Sequence, residues 1–266
     1  AAGRIDVQYQ PIVTTDAGRL HSFEALARWT HDGTSIPPSR FVPLAECLGL
    51  AHELGHLILT TALTQLGDWS RQRGDTALRV AVNLSPDQLL DPSLPRTVAR
   101  ALEAAGVHPR QLCLEITEGA LLTDSPHPRS NADALARMGV SLSLDDFGTG
   151  YSSPAHLRCF PLTTLKIDRS FIADIDSDPG ARRFLRALYR LGRDLDLQLI
   201  AEGVERLSQA EIVRSLGPCL LQGYLACRPQ PADYFHDLLA SRVPALPVGG
   251  PVAPSECERG NNADPC

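Results

Sequence analysis

Short apolar, β-branched runs alternate along this chain with longer segments of helical period, the pattern of repeated β–α units. Strands are predicted near Val7–Val13, Leu20–Arg28, Leu78–Leu84, Leu112–Ile116, Val140–Asp145, Thr164–Ile167, Gln198–Glu202 and Cys219–Gln222. Helices are predicted over Leu54–Arg71, Leu94–Ala105, Asn131–Met138, Gly180–Asp194 and Ser208–Leu216. The turn at Asp16-Ala17-Gly18 is too short for a parallel crossover, which needs about a dozen residues, and suits an antiparallel hairpin. Eight strands with mostly helical crossovers predict an α/β fold, a (β/α)8 TIM-type barrel whose first strand runs antiparallel. After Arg242 the periodicity stops, and Val243–Cys266 is rich in Pro, Gly, Asn and Ser. A folded domain over 1–242 and a disordered tail or linker over 243–266 are therefore expected.

With 266 residues the chain is long enough to bury a core without disulfides or a structural metal. A net charge of −6 excludes retention on polymeric nucleic acid by bulk charge, and 5% aromatics are too few for base-stacking platforms. No run approaches the ~20 apolar residues of a membrane span, so no membrane insertion of this segment is expected. The sequence begins at Ala1 without Met and reads as an excised domain. Seven cysteines without a CxxC pair read as free thiols in a reducing cytoplasm.

Barrel enzymes keep their chemistry at the C-terminal strand ends, and acids deeper in a strand would be buried at high cost. The predicted ends carry Glu24, Asn83, Glu115, Asp145 with Asp146, Asp168 and Glu202. Any one of these acids could equally cap a helix or pair with a surface arginine. As a set they track the strand ends, which independent caps have no reason to do. Converged on one rim they would repel one another strongly unless cations screened them. All-oxygen ligands favour Mg²⁺ or Mn²⁺, and the adjacent Asp145-Asp146 pair suggests two such ions, an arrangement that drives in-line displacement at phosphorus. Of 25 basic residues only Lys166 is lysine, and it falls at a predicted strand end between Leu165 and Ile167.

The motifs in order are Tyr9-Gln10-Pro11-Ile12, Phe23-Glu24-Ala25-Leu26-Ala27-Arg28-Trp29, Val82-Asn83-Leu84-Ser85, Glu115-Ile116-Thr117-Glu118, Asp145 through Ser153, Lys166-Ile167-Asp168, Ala201-Glu202-Gly203-Val204-Glu205 and Gln222-Gly223-Tyr224. From about Val7 to Phe235 this series resembles the EAL domain, the family of cyclic di-GMP phosphodiesterases.

The resemblance implies hydrolysis of cyclic di-GMP to linear 5′-pGpG, with two divalent cations, Mg²⁺ or Mn²⁺, and inhibition by Ca²⁺. It implies a first metal held by Glu24, Asn83, Glu115 and Asp145. A second would be held by Asp145 and Asp146 with support from Asp168 or Glu202. Glu202 would be the general base, with Lys166 beside it. Gln222 would line the site, Gln10, Arg28, Pro43, Leu44 and Tyr224 would contact substrate, and Glu118 would brace the loop Phe147–Ser153. Such domains dimerise and are fused to sensory or diguanylate-cyclase modules, so a homodimer and an upstream module are expected, in the cytoplasm or on the cytoplasmic side of a membrane-anchored protein. The alternative is a non-catalytic cyclic di-GMP receptor, whose kind typically loses acids of the cluster. Gly148 and Gly150 suit either a tight loop with positive φ or an ordinary turn. His52 and His56, i and i+4 without a third ligand, read as surface histidines.

Overall fold

In the computed structural model, which describes residues 4–122, 125–148, 159–241, 244–246 and 248, the predicted hairpin opens the chain. Strand β1 (Arg4–Thr14) pairs antiparallel with β2 (Leu20–His31) from Arg4↔Thr30 to Val13↔Leu20. β2 then runs parallel to β4 (Val80–Asn83), followed in the same sense by β5 (Leu112–Thr117), β6 (Ser141–Phe147), β7 (Thr164–Ile167), β8 (Gln198–Ala201) and β9 (Leu220–Gln222). β9 closes the barrel on β1, antiparallel, at Ile12↔Gln222. The eight-stranded α/β barrel with a reversed first strand is thus as expected.

The helices follow their apolar stripes. The crossover helices are α2 (Ala51–Arg73), α4 (Leu94–Ala105), α6 (His127–Met138), α7 (Pro179–Asp194) and α8 (Leu207–Leu216). On α4, Leu94, Val98, Ala101 and Leu102 fall on the buried face, and Gly106 ends the helix at φ +65°. On α7, Asp178 caps the N-terminus by accepting from the Gly180 N–H at 2.7 Å, and Leu185, Leu188 and Tyr189 face inward. Short helices α1 (Pro38–Cys47), α3 (Pro86–Leu90), α5 (Glu118–Leu121) and α9 (His236–Ala240) complete the described set.

Strand alternation divides two interiors. Leu112, Leu114 and Ile116 of β5, Leu142 and Leu144 of β6, and Leu165 and Ile167 of β7 join the main core against the helices. Their neighbours Cys113, Glu115, Ser143, Thr164 and Lys166 point into the barrel. There Ile12, Ile200 and Leu220 form a separate small apolar cluster.

Two expectations need correction, the strand-end placement of Glu24 and the end of the folded part at Arg242. Glu24 lies in mid-strand, because β2 leaves the barrel after Ala25, its last residue paired with β4, and continues as a hairpin arm joined by β3 (Thr34–Ile36). Lys166 lies second from the end of its strand, as expected, Glu115 sits two residues before the end of β5, and both are buried. The segment carrying Pro43 and Leu44 is helical, despite Pro37, Pro38 and Pro43; Pro38 stands in the first turn, where its missing N–H has no intrahelical partner. The fold also continues past Arg242. Leu20 N–H donates to Pro244 O and Leu246 N–H to Gly18 O, both at 2.8 Å, and Leu246 and Val248 pack on the core.

That C-terminal strap generates a prediction. A chain ending at Ser241 is expected to be less stable than one ending at Val248 by about 1–3 kcal/mol, the value of one or two partly buried aliphatic side chains. Equal urea midpoints for the two chains would show that the strap contributes nothing.

Candidate active site

The chemistry-bearing residues gather inside the C-terminal half of the barrel, around the one lysine. Lys166 Nζ lies 2.7 Å from Glu202 Oε1, 2.9 Å from Glu115 Oε2, 3.2 Å from Asp145 Oδ1 and 3.4 Å from Glu24 Oε2. Each partner comes from a different strand or the residue just after one: β2, β5, β6 and β8. Lys166 is 1% exposed. Its contacts with Glu24, Glu115 and Asp145 are those that the resemblance assigns to a first cation, so the ammonium stands in for positive charge among these oxygens.

One ammonium does not neutralise four carboxylates, and the proton affinities say so. Burial, followed by the Glu24 charge, pushes the Glu115 carboxyl well above the ordinary carboxylate range. Burial raises Glu202 to about 8 against the opposing pull of Lys166, with Asp145 and Glu24 adding to the rise. Asp146 is also raised, by burial and then by Asp145. Glu24 goes the other way: burial opposes its charge, but Lys166 and hydrogen bonds from Gln222 and Asn83 overcome it and lower its pKa. The same carboxylates hold Lys166 firmly protonated, although burial alone would favour the neutral amine.

Two ordered contacts fix Glu24. Asn83 Nδ2 donates to Oε1 at 2.8 Å, and Gln222 Nε2 donates to Oε2 at 2.5 Å. Gln222 Nε2 also reaches Gln10 Oε1 at 3.2 Å, and Gln10 Nε2 donates to Cys227 O at 3.2 Å. A hydrogen-bonded chain therefore runs from the carboxylate to the backbone of the loop carrying Tyr224. Beyond it, Tyr224 is half-exposed with the Arg228 guanidinium 4.0 Å from its ring centre.

In a regular strand Asp145 and Asp146 would point to opposite faces. The register of β6 against β7 slips between Leu144 and Phe147, and Asp146 adopts φ +53°. The result is that Asp145, Asp146 and Glu202 each offer an oxygen within 4.8 Å of the others. Glu118, the first residue of α5, accepts from the Gly148 N–H at 3.3 Å, at the start of the loop it was expected to brace. Thr149 to Ser153, and Pro154, lie outside the described residues.

Other expected residues stand differently. Asp168 caps the turn at Arg169–Phe171, its Oδ1 accepting from Ser170 N–H at 3.0 Å and Ser170 Oγ at 2.5 Å, and is not in the three-oxygen group. Arg28 sits on the hairpin arm, its Nε donating to Gln8 Oε1 at 3.0 Å and one terminal nitrogen to Ala27 O at 2.9 Å. Pro43 and Leu44 are exposed on α1, and Leu44 lines an apolar groove of about 340 Å³ whose walls include none of the cluster's carboxylates. Gln8 and Arg228 were not singled out; among 24 arginines, nothing in the sequence marks Arg228.

The donor set fits divalent cations. It is all oxygen, and four carboxyls converge there on a single ammonium.

The EAL domain profile matches residues 1–229. An uncharacterized signaling protein of Caulobacter vibrioides is 41% identical over 234 residues, covering 88% of this chain and 28% of the relative. The cyclic di-GMP phosphodiesterase NbdA of Pseudomonas aeruginosa is 40% identical over 246 residues, covering 92% of this chain and 31% of the relative. This chain thus spans about a third of the length of such relatives. The solved PaMucR phosphodiesterase in complex with c-di-GMP superposes with a TM-score of 0.82 at 39% identity, covering 87% of this chain and 94% of that one. The EAL domain of Mycobacterium smegmatis DcpA gives 0.76 at 32% identity, covering 91% and 97%.

The lysine's place yields a prediction. Lys166→Met removes the one cation from four buried carboxyls and is expected to destabilise the metal-free protein by on the order of 3–5 kcal/mol at pH 7. The deficit should shrink as pH falls, because the raised carboxyls then take up protons. Excess Mg²⁺ should raise the melting temperature of the variant more than that of the wild type. Identical melting in EDTA would remove Lys166 from its role as internal counter-charge.

Proposed function

The chain belongs to the EAL domain family, and from that membership we propose that it is a metal-dependent phosphodiesterase that hydrolyses cyclic di-GMP to linear 5′-pGpG. The observation that carries this reading is the convergence of Glu24, Glu115, Asp145 and Glu202 within 3.4 Å of Lys166 Nζ, which keeps the whole acidic set of an enzyme. A receptor that only bound the nucleotide would not need so costly a cluster.

Two divalent cations, Mg²⁺ or Mn²⁺, would be held by Glu24, Asn83, Glu115 and Asp145 and by Asp145, Asp146 and Glu202; when bound they polarise a phosphodiester and acidify water. The protein's own residues supply the rest. Glu202 accepts the proton of the attacking water, whose oxygen bonds to phosphorus while the P–O3′ bond breaks and the O3′ leaves with a proton from solvent. Burial holds this carboxyl at about 8, mostly protonated at pH 7, and bound cations would lower it into the range where it can accept that proton. Lys166, 2.7 Å from Glu202, holds the base in place and offsets charge developing on the phosphate. The half-exposed ring of Tyr224 offers a face for a guanine, and Arg28 a charge for a phosphate. Asp168, held in its cap, would contribute through its field on Asp146 rather than as a ligand. The reading also takes the chain as the catalytic part of a longer, cytoplasmic, homodimeric signalling protein, in keeping with relatives about three times its length.

Purified protein with cyclic di-GMP and Mn²⁺ is expected to release linear dinucleotide, whereas Ca²⁺ alone, which prefers longer bonds and more ligands, should not support turnover. Binding without turnover would favour the receptor and overturn the enzyme. Glu24→Gln is expected to abolish turnover with the fold intact.

Lys166→Arg keeps the charge but not its position. The loss in kcat should be on the order of 10²–10³ with nucleotide binding retained, as when one preorganised contact is lost. Single-turnover rates at saturating nucleotide test this, and an unchanged rate constant would place the lysine outside the chemistry.

A further inference from the structure

Beneath the carboxylate cluster the barrel is not filled. Barrel interiors are ordinarily packed with layers of branched side chains. Here that holds on one side, where Ile12, Ile200 and Leu220 meet. The rest of the layer below the site is built from small residues, Ser22, Cys113, Ser143 and Thr164, which with Ile12 and Ile200 on the apolar side and His21 and Arg79 line a chamber of about 250 Å³ that opens at the N-terminal end of the barrel and reaches Glu115 from behind.

Two side chains in this chamber lack what buried polar atoms need. Ser143 is 0% exposed and its Oγ has no hydrogen-bond partner among the described residues; Glu115 is 2% exposed and the same is true of its Oε1. The two residues face each other directly across the β5–β6 ladder, at Glu115↔Ser143. An unpaired buried hydroxyl or carboxylate oxygen is costly. Apolar cavities stay dry, whereas a polar one with unpaired donors and acceptors holds water, each molecule taking about 30 Å³ in the liquid. The chamber has room for several.

We propose that this chamber is a water-binding site and that Ser143, through the water it holds, is a positioning residue for the metal ligand Glu115. The role of Glu115 rests on the phosphodiesterase reading; the water site itself does not. Water donated to Glu115 Oε1 from below turns the carboxylate so that its electron pairs face the centre of the cluster. Partners in this position behind a metal ligand typically change metal affinity by 10–100-fold when lost.

The test is Mg²⁺ affinity by calorimetry for wild type, Ser143→Thr, Ser143→Ala and Ser143→Val, together with a high-resolution crystal structure of the wild type. Thr keeps the hydroxyl and is expected to bind like the wild type. Ala should bind Mg²⁺ more weakly, and Val, which also fills the chamber, about tenfold more weakly. Equal affinity in all four, or a Val variant that melts higher with unchanged affinity, would overturn the positioning role. Should Val fail to fold, the Ala and Thr pair decides the matter. Electron density without water in hydrogen-bond reach of both Ser143 Oγ and Glu115 Oε1 would overturn the water site. A wild type that binds no Mg²⁺ would overturn the phosphodiesterase reading and the positioning role with it, while the density still decides the water site.

Discussion

The ammonium of Lys166, buried among four carboxyl groups, is the interaction on which the rest of this structure depends. Each of those acids would be expensive to place inside a barrel alone, and together they would repel one another. A single cation in contact with all four makes the arrangement tolerable. It leaves the cluster short of positive charge, a shortage that the proposed cations would make up. A chain that uses arginine at every other basic position uses lysine here for a geometric reason. A compact point charge can touch oxygens arriving from four directions, whereas a planar guanidinium presents its donors in one plane.

The barrel converts a sequence pattern into two chemical compartments. Strands of parallel sheets buried on both faces usually read as continuous apolar runs. In Leu112–Thr117, Ser141–Phe147 and Thr164–Ile167 the inner positions are instead polar or small. The outer leucines and isoleucines carry the packing with the helices, which frees the inner positions from any structural duty in the core. The layer nearest the C-terminal end is charged, and the layer beneath is small and hydroxylic. Stability and chemistry are thereby assigned to alternate residues of the same strands.

Much of this was legible before any coordinates. The hairpin followed from the length of a turn, the barrel from the rhythm of runs, and the acidic set from motifs in order. What stayed hidden depends on where strands stop taking part in the barrel and on distances between distant residues. Glu24 was counted among the strand ends although the predicted strand ran on to Arg28; β2 outlasts the barrel and the acid sits where it leaves. Lys166 was expected beside Glu202, but its further contacts with Glu24, Glu115 and Asp145 are a property of closure that no single strand shows. Asp168 followed the strand-end pattern and yet caps its own turn, a local alternative that any Asp before a Ser can take. The helix at Pro38–Cys47 was masked by its prolines, and the strap at Pro244–Leu246 by a composition that otherwise signals a tail.

One local device joins the cluster to the surface of the molecule. Asp145 and Asp146 bring oxygens to one place only because the strand slips register and Asp146 takes a left-handed conformation, which aspartate tolerates better than most residues. The distortion continues to Gly148, at φ +99°, where a Cβ would lie 2.7 Å from the Phe171 ring; glycine is required there by both the backbone and the neighbour. Glu118 then fastens the Gly148 N–H from a different element. The position of a cluster carboxylate is consequently set by a contact made by α5, outside the barrel interior. Asp146 is thus followed, two residues on, by a backbone held from α5 in a place where the Phe171 ring leaves no room for a side chain, whereas Glu24, Glu115 and Lys166 sit on strands of the barrel itself.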